Sequence, residues 1–362
     1  MKYTRRKFIS TLGAGSAMLM LPTIPKFSDI FIEEEKKLGI ALVGLGNYAT
    51  HQLAPALMET SLCYLSGIVT GTPAKAEKWR AQYNIPDQNI YNYDNFDRIA
   101  ENKSIDVVYV VLPNSMHHEF VIRAAKAGKH VFCEKPMAVS VKECEEMIGA
   151  CKRAGVRLFI GYRLHSSPYH KAAMNFRSEG ENELLYVQSE FGFEIGDPTQ
   201  WRLKKSLSGG GALVDVGIYA IQAARYSVGK EPVSVTAQEY KTDYKKFAEV
   251  DESITWQMQF PGGHVSNSFT SYSSPVNRLY IGMGRRWFEL FPAFSYRGIK
   301  GITSDGDLNL PDINQQAAQM DDFSKCIVDN SESNSSGEEG LKDLKVIEAI
   351  YKSIQLKTKV MI

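Results

Sequence analysis

From Leu38 to Val43 the chain runs almost wholly apolar, turns at Gly44-x-Gly46, and continues through Ala49–Met58 with helical spacing despite Pro55. The alternation then repeats. Cys63–Val69 reads as a strand and Ala74–Tyr83 as a helix, Val107–Leu112 as a strand and Glu119–Ala127 as a helix, and His130–Cys133 as a fourth strand. Strands separated by helices at this spacing predict a parallel sheet wrapped by helices. Ser140–Ala154 is a further helix, opened by a capping box of Ser140 with Glu143 and stopped at Gly155. Val156–Gly161 is one more strand, so this unit closes near residue 161.

Beyond that point the pattern changes. Leu184–Phe193, Val233–Tyr240, Ser253–Phe260, His264–Tyr272 and Arg278–Met283 are aromatic and β-branched runs, and Pro261-Gly262-Gly263 predicts a hairpin turn. Ala212–Tyr226 reads instead as a helix behind a triple glycine. Two amphipathic helices close the chain, Gln315–Val328 and Glu338–Leu356, separated by SNSSG at 333–337. Leu341, Leu344, Ile347, Ile350, Tyr351 and Ile354 follow helical spacing and are expected to face the core, packing back against the first unit. Nothing in the pattern gives Tyr351 more than a packing role.

The first residues differ from all that follow. Lys2, Arg5, Arg6 and Lys7 precede a moderately apolar run from Phe8 to Leu21 that ends at Pro22 and Pro25. The paired arginines of TRRKF (4–8) read as a twin-arginine export signal, and the run is too short and too weakly apolar for a membrane span. No clear A-x-A site follows, so an uncleaved tether and a cleaved leader both stay open. The expected organisation is a leader at 1–32, a nucleotide-binding unit at 33–161 and a second α/β unit at 162–362, in a periplasmic or otherwise exported protein. Formal net charge is +1, from 42 basic and 41 acidic residues, with no dense basic run beyond the leader, which excludes a nucleic-acid partner. The five cysteines (Cys63, Cys133, Cys144, Cys151, Cys326) are odd in number, lack metal-ligand spacing and read as small buried residues. Neither zinc nor another metal is expected.

Gly44, Leu45, Gly46, Asn47, Tyr48 and Ala49 form a G-x-G-x-x-A turn between a strand and a helix. Bare glycines there let backbone approach a pyrophosphate, and the helix N-terminus supplies N–H donors. The end of the second strand carries no acid to accept a ribose 2′-hydroxyl. Thr70, Gly71 and Thr72 occupy it, and Lys75 opens the next helix, a set suited to a 2′-phosphate. NADP is therefore expected over NAD. Glu134 and Lys135 sit where the fourth strand leaves the sheet, the edge at which ligands bind in open α/β folds. Asp215 and Tyr219, four apart on the helix behind the triple glycine, project from one face.

Together GLGNYA (44–49), LPNSMHHEF (112–120), GKHVFCEKPMA (128–138), GYRLH (161–165), WRL (201–203), GGGALVDVGIYAIQAARY (209–226), WQMQF (256–260) and GEEGLKDLKVIEAIYKS (337–353) resemble the Gfo/Idh/MocA oxidoreductases, and within them the glucose–fructose oxidoreductase branch. The resemblance runs from about Leu38 to the C-terminus. It implies a Rossmann domain followed by an α/β domain with a large, open, mainly antiparallel sheet, often used to form homodimers or homotetramers. It also implies an active site of Lys135, Asp215 and Tyr219 acting on a sugar. Most members place histidine where this chain has Tyr219, and tyrosine there is similar to the glucose–fructose branch. A phenol, with an ordinary pKa of about 10, is a poor base near neutrality. An adjacent ammonium lowers that value by stabilising phenolate, the role expected of Lys135, while Asp215 orients a substrate hydroxyl. Softer correspondences put Leu112, Asn114, His117, Glu134, Arg163, Trp201 and Arg202 beside the cofactor.

The function so implied is an NADP-dependent sugar oxidoreductase, with NADP either retained and reoxidised by a second sugar or exchanged as in ordinary sugar dehydrogenases. An exported family glycosidase that uses bound NAD transiently is the alternative from another class. The co-regulators of the family, which bind NAD(P) without turnover, conflict with the export signal and with an intact Lys135, Asp215 and Tyr219.

Overall fold

The computed structural model describes residues 37–179 and 185–362, so the expected export leader and the first residue of the strand expected at Leu184 lie outside the described residues. Six parallel strands form the first sheet among the described residues: β1 Leu38–Val43, β2 Cys63–Val69, β3 Ile90–Tyr91, β4 Val107–Val110, β5 His130–Cys133 and β6 Leu158–Ile160, in the spatial order β3-β2-β1-β4-β5-β6. β1 and β4 are buried along their whole length, because helices cover both sheet faces, and this is why their sequences run apolar instead of alternating. Ile40 and Leu42 point into one core, Ala41 and Val43 into the other.

Register fixes what leaves the sheet together. Val43 lies beside Val69 and Val110, Val110 beside Cys133, and Cys133 beside Ile160. Gly44, Thr70, Val111, Glu134 and Gly161 therefore emerge at one edge, and strand order reverses between β1 and β4, the position where open α/β sheets leave a crevice.

Four helices serve this sheet: α1 Ala54–Leu57, α2 Pro73–Tyr83, α3 His117–Lys126 and α4 Val141–Ala154. The helix expected over residues 49–58 is in fact a π turn, Ala49–Leu53, running into α1. Pro55 falls in the first positions of α1, where a missing N–H costs little. At α4 the Ser140 hydroxyl accepts from the Glu143 N–H (3.2 Å), while the Glu143 carboxylate takes the N–H of Val139. Gly155 ends the helix at φ +67.

The second sheet has nine strands among the described residues: β7 Leu185–Gly192, β8 Ser234–Tyr240, β9 Ser253–Gln259, β10 Val265–Ser271, β11 Val276–Met283, β12 Arg286–Leu290, β13 Gly301–Thr303, β14 Gly306–Leu308 and β15 Val360–Met361. Their order is β14-β13-β12-β11-β7-β10-β9-β8-β15, antiparallel except for β7 beside β10. The remaining helices are α5 Pro168–Asn175, α6 Lys205–Ser208, α7 Ile218–Val228, α8 Gln315–Val328 and α9 Gly337–Leu356. The expected helix over 212–226 begins as a second π turn, Leu213–Gly217, before α7.

α8 and α9 do return to the first sheet. Phe323 of α8 stacks on Phe159 of β6 with centroids 4.9 Å apart and meets Phe132 of β5 edge-on at 5.0 Å. Gly337 and Gly340 of α9 lie so close to Leu158 and Met137 that an added Cβ would come within 2.9 and 2.7 Å of them. All five cysteines are free and four are buried, as expected, but Cys326 is only partly buried, packed at the margin of the core beneath α8. Among the described residues no helix is long and apolar enough to cross a membrane.

Candidate active site

The two glycines of the first turn are glycine for different reasons. Gly44 has φ +95, and a Cβ there would lie 2.6 Å from the Val111 carbonyl oxygen, so the fold itself demands it. Gly46 is exposed, and a Cβ there would meet nothing within 4 Å. Packing does not explain this glycine; close approach of a ligand to the turn does. Leu45 is buried, Asn47 exposed and Tyr48 half-buried. Across the crevice the Thr70 hydroxyl accepts from the Thr72 N–H (3.2 Å), and the Lys75 ammonium donates to the Leu45 carbonyl (3.0 Å). Thr70, Gly71 and Lys75 thus border the glycine turn, as a 2′-phosphate pocket requires.

At the far side of the same edge the chain brings together Lys135, Asp215 and Tyr219. The Lys135 ammonium lies 2.6 Å from the Asp215 backbone oxygen, 3.4 Å from its Oδ1 and 4.7 Å above the Tyr219 ring. Asp215 Oδ2 accepts from Arg202 Nε at 3.1 Å and from the Tyr272 hydroxyl at 2.9 Å. Burial alone would raise this carboxyl, but Arg202, Lys135 and Tyr272 together outweigh it and hold it below the usual carboxylate range. Asp215 is therefore a fixed anion that orients two cations. A carboxylate offers about four lone-pair sites, which leaves room for a substrate hydroxyl. Arg202 also stacks on Trp201 at 4.5 Å, so the WRL turn (Trp201–Leu203) reaches the site through its arginine.

Tyr219 is almost buried, its ring set among Phe191, Phe294 and Lys135, with the Arg163 guanidinium 5.0 Å from its centroid. Arg163, expected beside the cofactor, is 2% exposed, with its guanidinium against the Tyr219 ring. It donates to the Phe294 and Ser295 carbonyls and to Gln315, and stacks on Tyr296 at 4.5 Å. Burial works against its charge, but the phenols of Tyr219, Tyr48 and Tyr296 offset this and keep it protonated.

Three other residues expected beside the cofactor are hydrogen-bonded within the protein. His117 is fully buried, its ring nitrogens 3.0 and 2.9 Å from the Pro136 and Leu112 carbonyl oxygens; burial lowers its pKa, and the neutral ring donates its single N–H to one of the two. Asn114 is buried and donates to the Ser208 carbonyl (2.8 Å). Glu134 accepts from the Tyr109 hydroxyl (2.7 Å), which in turn accepts from Gln319 of α8 (2.9 Å), and burial pushes its carboxyl up. These residues came from short motifs whose spacing says nothing about which way a side chain turns. Tyr272 and Tyr296 were missed: one is the last residue of an ordinary strand run, the other lies in a loop without pattern, and only tertiary proximity brings them in.

Comparison with known proteins gives a consistent result. A family model described as an oxidoreductase family with an NAD-binding Rossmann fold matches residues 38–162, and a model of the C-terminal domain of the same family matches residues 180–291. The solved structure of an aldose–aldose oxidoreductase from Caulobacter crescentus, in complex with glycerol, is 43% identical, covers 90% of this chain and all of that one, and superposes with a TM-score of 0.87. An NADP(+) D-xylose 1-dehydrogenase of Haloarcula marismortui is 29% identical over 333 residues, 88% of this chain and 92% of the relative. A second NADP(+) D-xylose 1-dehydrogenase, from Haloferax volcanii, is 25% identical over 323 residues, 87% and 96% of the two chains.

Proposed function

The chain belongs to the Gfo/Idh/MocA oxidoreductase family, and we propose that it is an NADP-dependent sugar oxidoreductase that moves hydride between a sugar C–OH and the nicotinamide. The observation that carries this reading is the placing of Lys135, Asp215 and Tyr219 at the same sheet edge as the open Gly46 turn. The turn would hold the pyrophosphate, and Thr70 with Lys75 the 2′-phosphate. When bound, NADP supplies the hydride acceptor. Tyr219 takes the hydroxyl proton as the carbonyl forms, and the Lys135 ammonium stabilises the charge that develops on the phenol oxygen. Asp215 holds that ammonium and Arg202 in place and receives a neighbouring sugar hydroxyl.

Likeness to an aldose–aldose oxidoreductase supports the retained form of the cofactor, in which one aldose is oxidised and a second is reduced at the same site. Retention suits twin-arginine export, which carries folded protein away from the soluble NADP pool, and a homodimer or homotetramer built through the open sheet completes the proposal. The test is an absorbance spectrum of dialysed protein, taken before and after an aldose such as glucose and again after a second sugar. A reduced-nicotinamide band that appears with the first and disappears with the second is expected. Loss of the nucleotide on dialysis refutes retention, and absence of any band with added NADP and a panel of aldoses refutes the oxidoreductase reading.

A further inference from the structure

The triple glycine Gly209-Gly210-Gly211 ahead of the second π turn has no part in the chemistry above, and its surroundings show why it is there. A Cβ on Gly211 would lie 2.0 Å from the Asp251 carbonyl oxygen, and one on Gly210 would lie 2.2 Å from the Tyr351 hydroxyl. Both contacts belong to one cluster. Asp251, 5% exposed and two residues before β9, accepts from Gly211 N at 2.7 Å through Oδ1 and from Leu213 N at 2.8 Å through Oδ2. Its Oδ1 also accepts from the Tyr351 hydroxyl of α9 at 2.6 Å. A buried carboxylate thus satisfies backbone donors at the start of the helix that carries Asp215, supplied by a strand distant in sequence instead of by a local cap.

From there the bonds run on without a gap. Gly211 O accepts from Asp215 N (3.2 Å), and Asp215 O accepts from the Lys135 ammonium (2.6 Å). Lys135 is therefore placed by a backbone carbonyl whose position is set through Gly211 and Asp251. Thr270 holds the opposite side of the turn, its hydroxyl 3.3 Å from the Ala212 carbonyl.

We propose that Asp251 and Tyr351 are positioning residues for the reaction: they set the π turn at residues 213–217 so that Asp215 and the Lys135 ammonium stand correctly beside Tyr219. The proposal rests on the reading of Lys135, Asp215 and Tyr219 as the active site. Asp251 bonds the backbone at the start of the π turn and Tyr351 bonds Asp251; Tyr351, which helical spacing marks as a packing residue, acts through its hydroxyl.

The test compares purified Tyr351→Phe, Asp251→Asn and Tyr219→Phe with the wild type, counting bound nicotinamide per chain and measuring kcat and the sugar KM per loaded site. Losing one buried hydrogen bond in Tyr351→Phe should lower kcat about tenfold, with sugar KM and nicotinamide content unchanged. Asp251→Asn, which turns an acceptor of charge-assisted bonds into a partial donor, should lower it about a hundredfold. Adding Tyr351→Phe to Asp251→Asn should then cost nothing further, because the phenol acts through the carboxylate. A purely structural pair would lower the melting temperature and the loaded fraction but leave kcat per loaded site at the wild-type value, and that result overturns the proposal. Tyr351→Phe keeps the ring and supplies the test if Asp251→Asn does not fold. An inactive Tyr219→Phe beside a normal Tyr351→Phe defeats this inference alone, whereas an active Tyr219→Phe defeats the site on which it rests.

Discussion

Replacing Tyr219 by phenylalanine removes one oxygen and leaves the ring where it is. Phe191, Phe294, the Lys135 ammonium and the Arg163 guanidinium all contact the ring, and a phenyl group preserves each of those contacts, cation–π attraction included. Folding stability should therefore change by about 1 kcal/mol or less, and cofactor content should not change at all. The chemical step is another matter. A positioned acid–base group contributes about 10²- to 10⁴-fold, or roughly 3–5 kcal/mol of barrier, and Tyr219 is the phenol whose ring lies under the Lys135 ammonium. The assay is a rapid-mixing single turnover on cofactor-loaded protein, following the reduced-nicotinamide band on adding aldose. A variant rate within about threefold of wild type at equal loading would make Tyr219 a scaffold for the two cations and pass the proton to another group, which would refute the mechanism.

Three further predictions test other parts of the molecule. Gly44→Ala should fail to fold or lose several kcal/mol, because φ +95 and the Val111 oxygen leave no room, whereas Gly46→Ala should keep its melting temperature and lose about tenfold or more in NADP affinity; calorimetry and titration separate the two. Lys75→Ala should weaken NADP binding by about 1.5–3 kcal/mol, the worth of a hydrogen bond to a charged group, with NAD binding unchanged; equal losses for both nucleotides would remove Lys75 from the 2′-phosphate pocket. Buried His165 and His170 have pKa values pushed down to about 4 and about 3, chiefly by desolvation. They stay neutral in the fold while the unfolded chain takes up protons below about pH 6.5, so stability is full above that value and falls as pH drops toward 4, by about 2 kcal/mol per histidine at about pH 5. Denaturant melts at neutral and acid pH should show the loss, and His170→Asn should remove about 2 kcal/mol of it at about pH 5; an unchanged slope in that variant would contradict the assignment.

What sequence pattern reveals depends on whether the cause is local. Five strands of the first sheet are legible because burial on both faces makes them mainly apolar runs, and the α4 cap because Ser140 and Glu143 lie one turn apart, whereas the two-residue β3 was missed. Lys135, Asp215 and Tyr219 are brought together as expected, although a π turn between Leu213 and Gly217 replaces the regular helix that suggested their common face. That turn is held by Asp251 and fits against Thr270, both remote in sequence, so no local signal announces it. The same holds for β12–β15, short strands defined by their neighbours, and for the inward rotation of His117 and Arg163.

Phe323 stacks on Phe159 some 160 positions away, and Ala317, Met320 and Phe323 complete the core that begins with Ile40 and Leu42. The first sheet is thus finished by a helix that follows β14 in the chain. Closing so long a loop costs only slowly growing entropy, but it defers closure of the core beneath the glycine turn until α8 has been made. A chain that stops short of α8 has the Gly44–Ala49 turn in its sequence but no closed core beneath it.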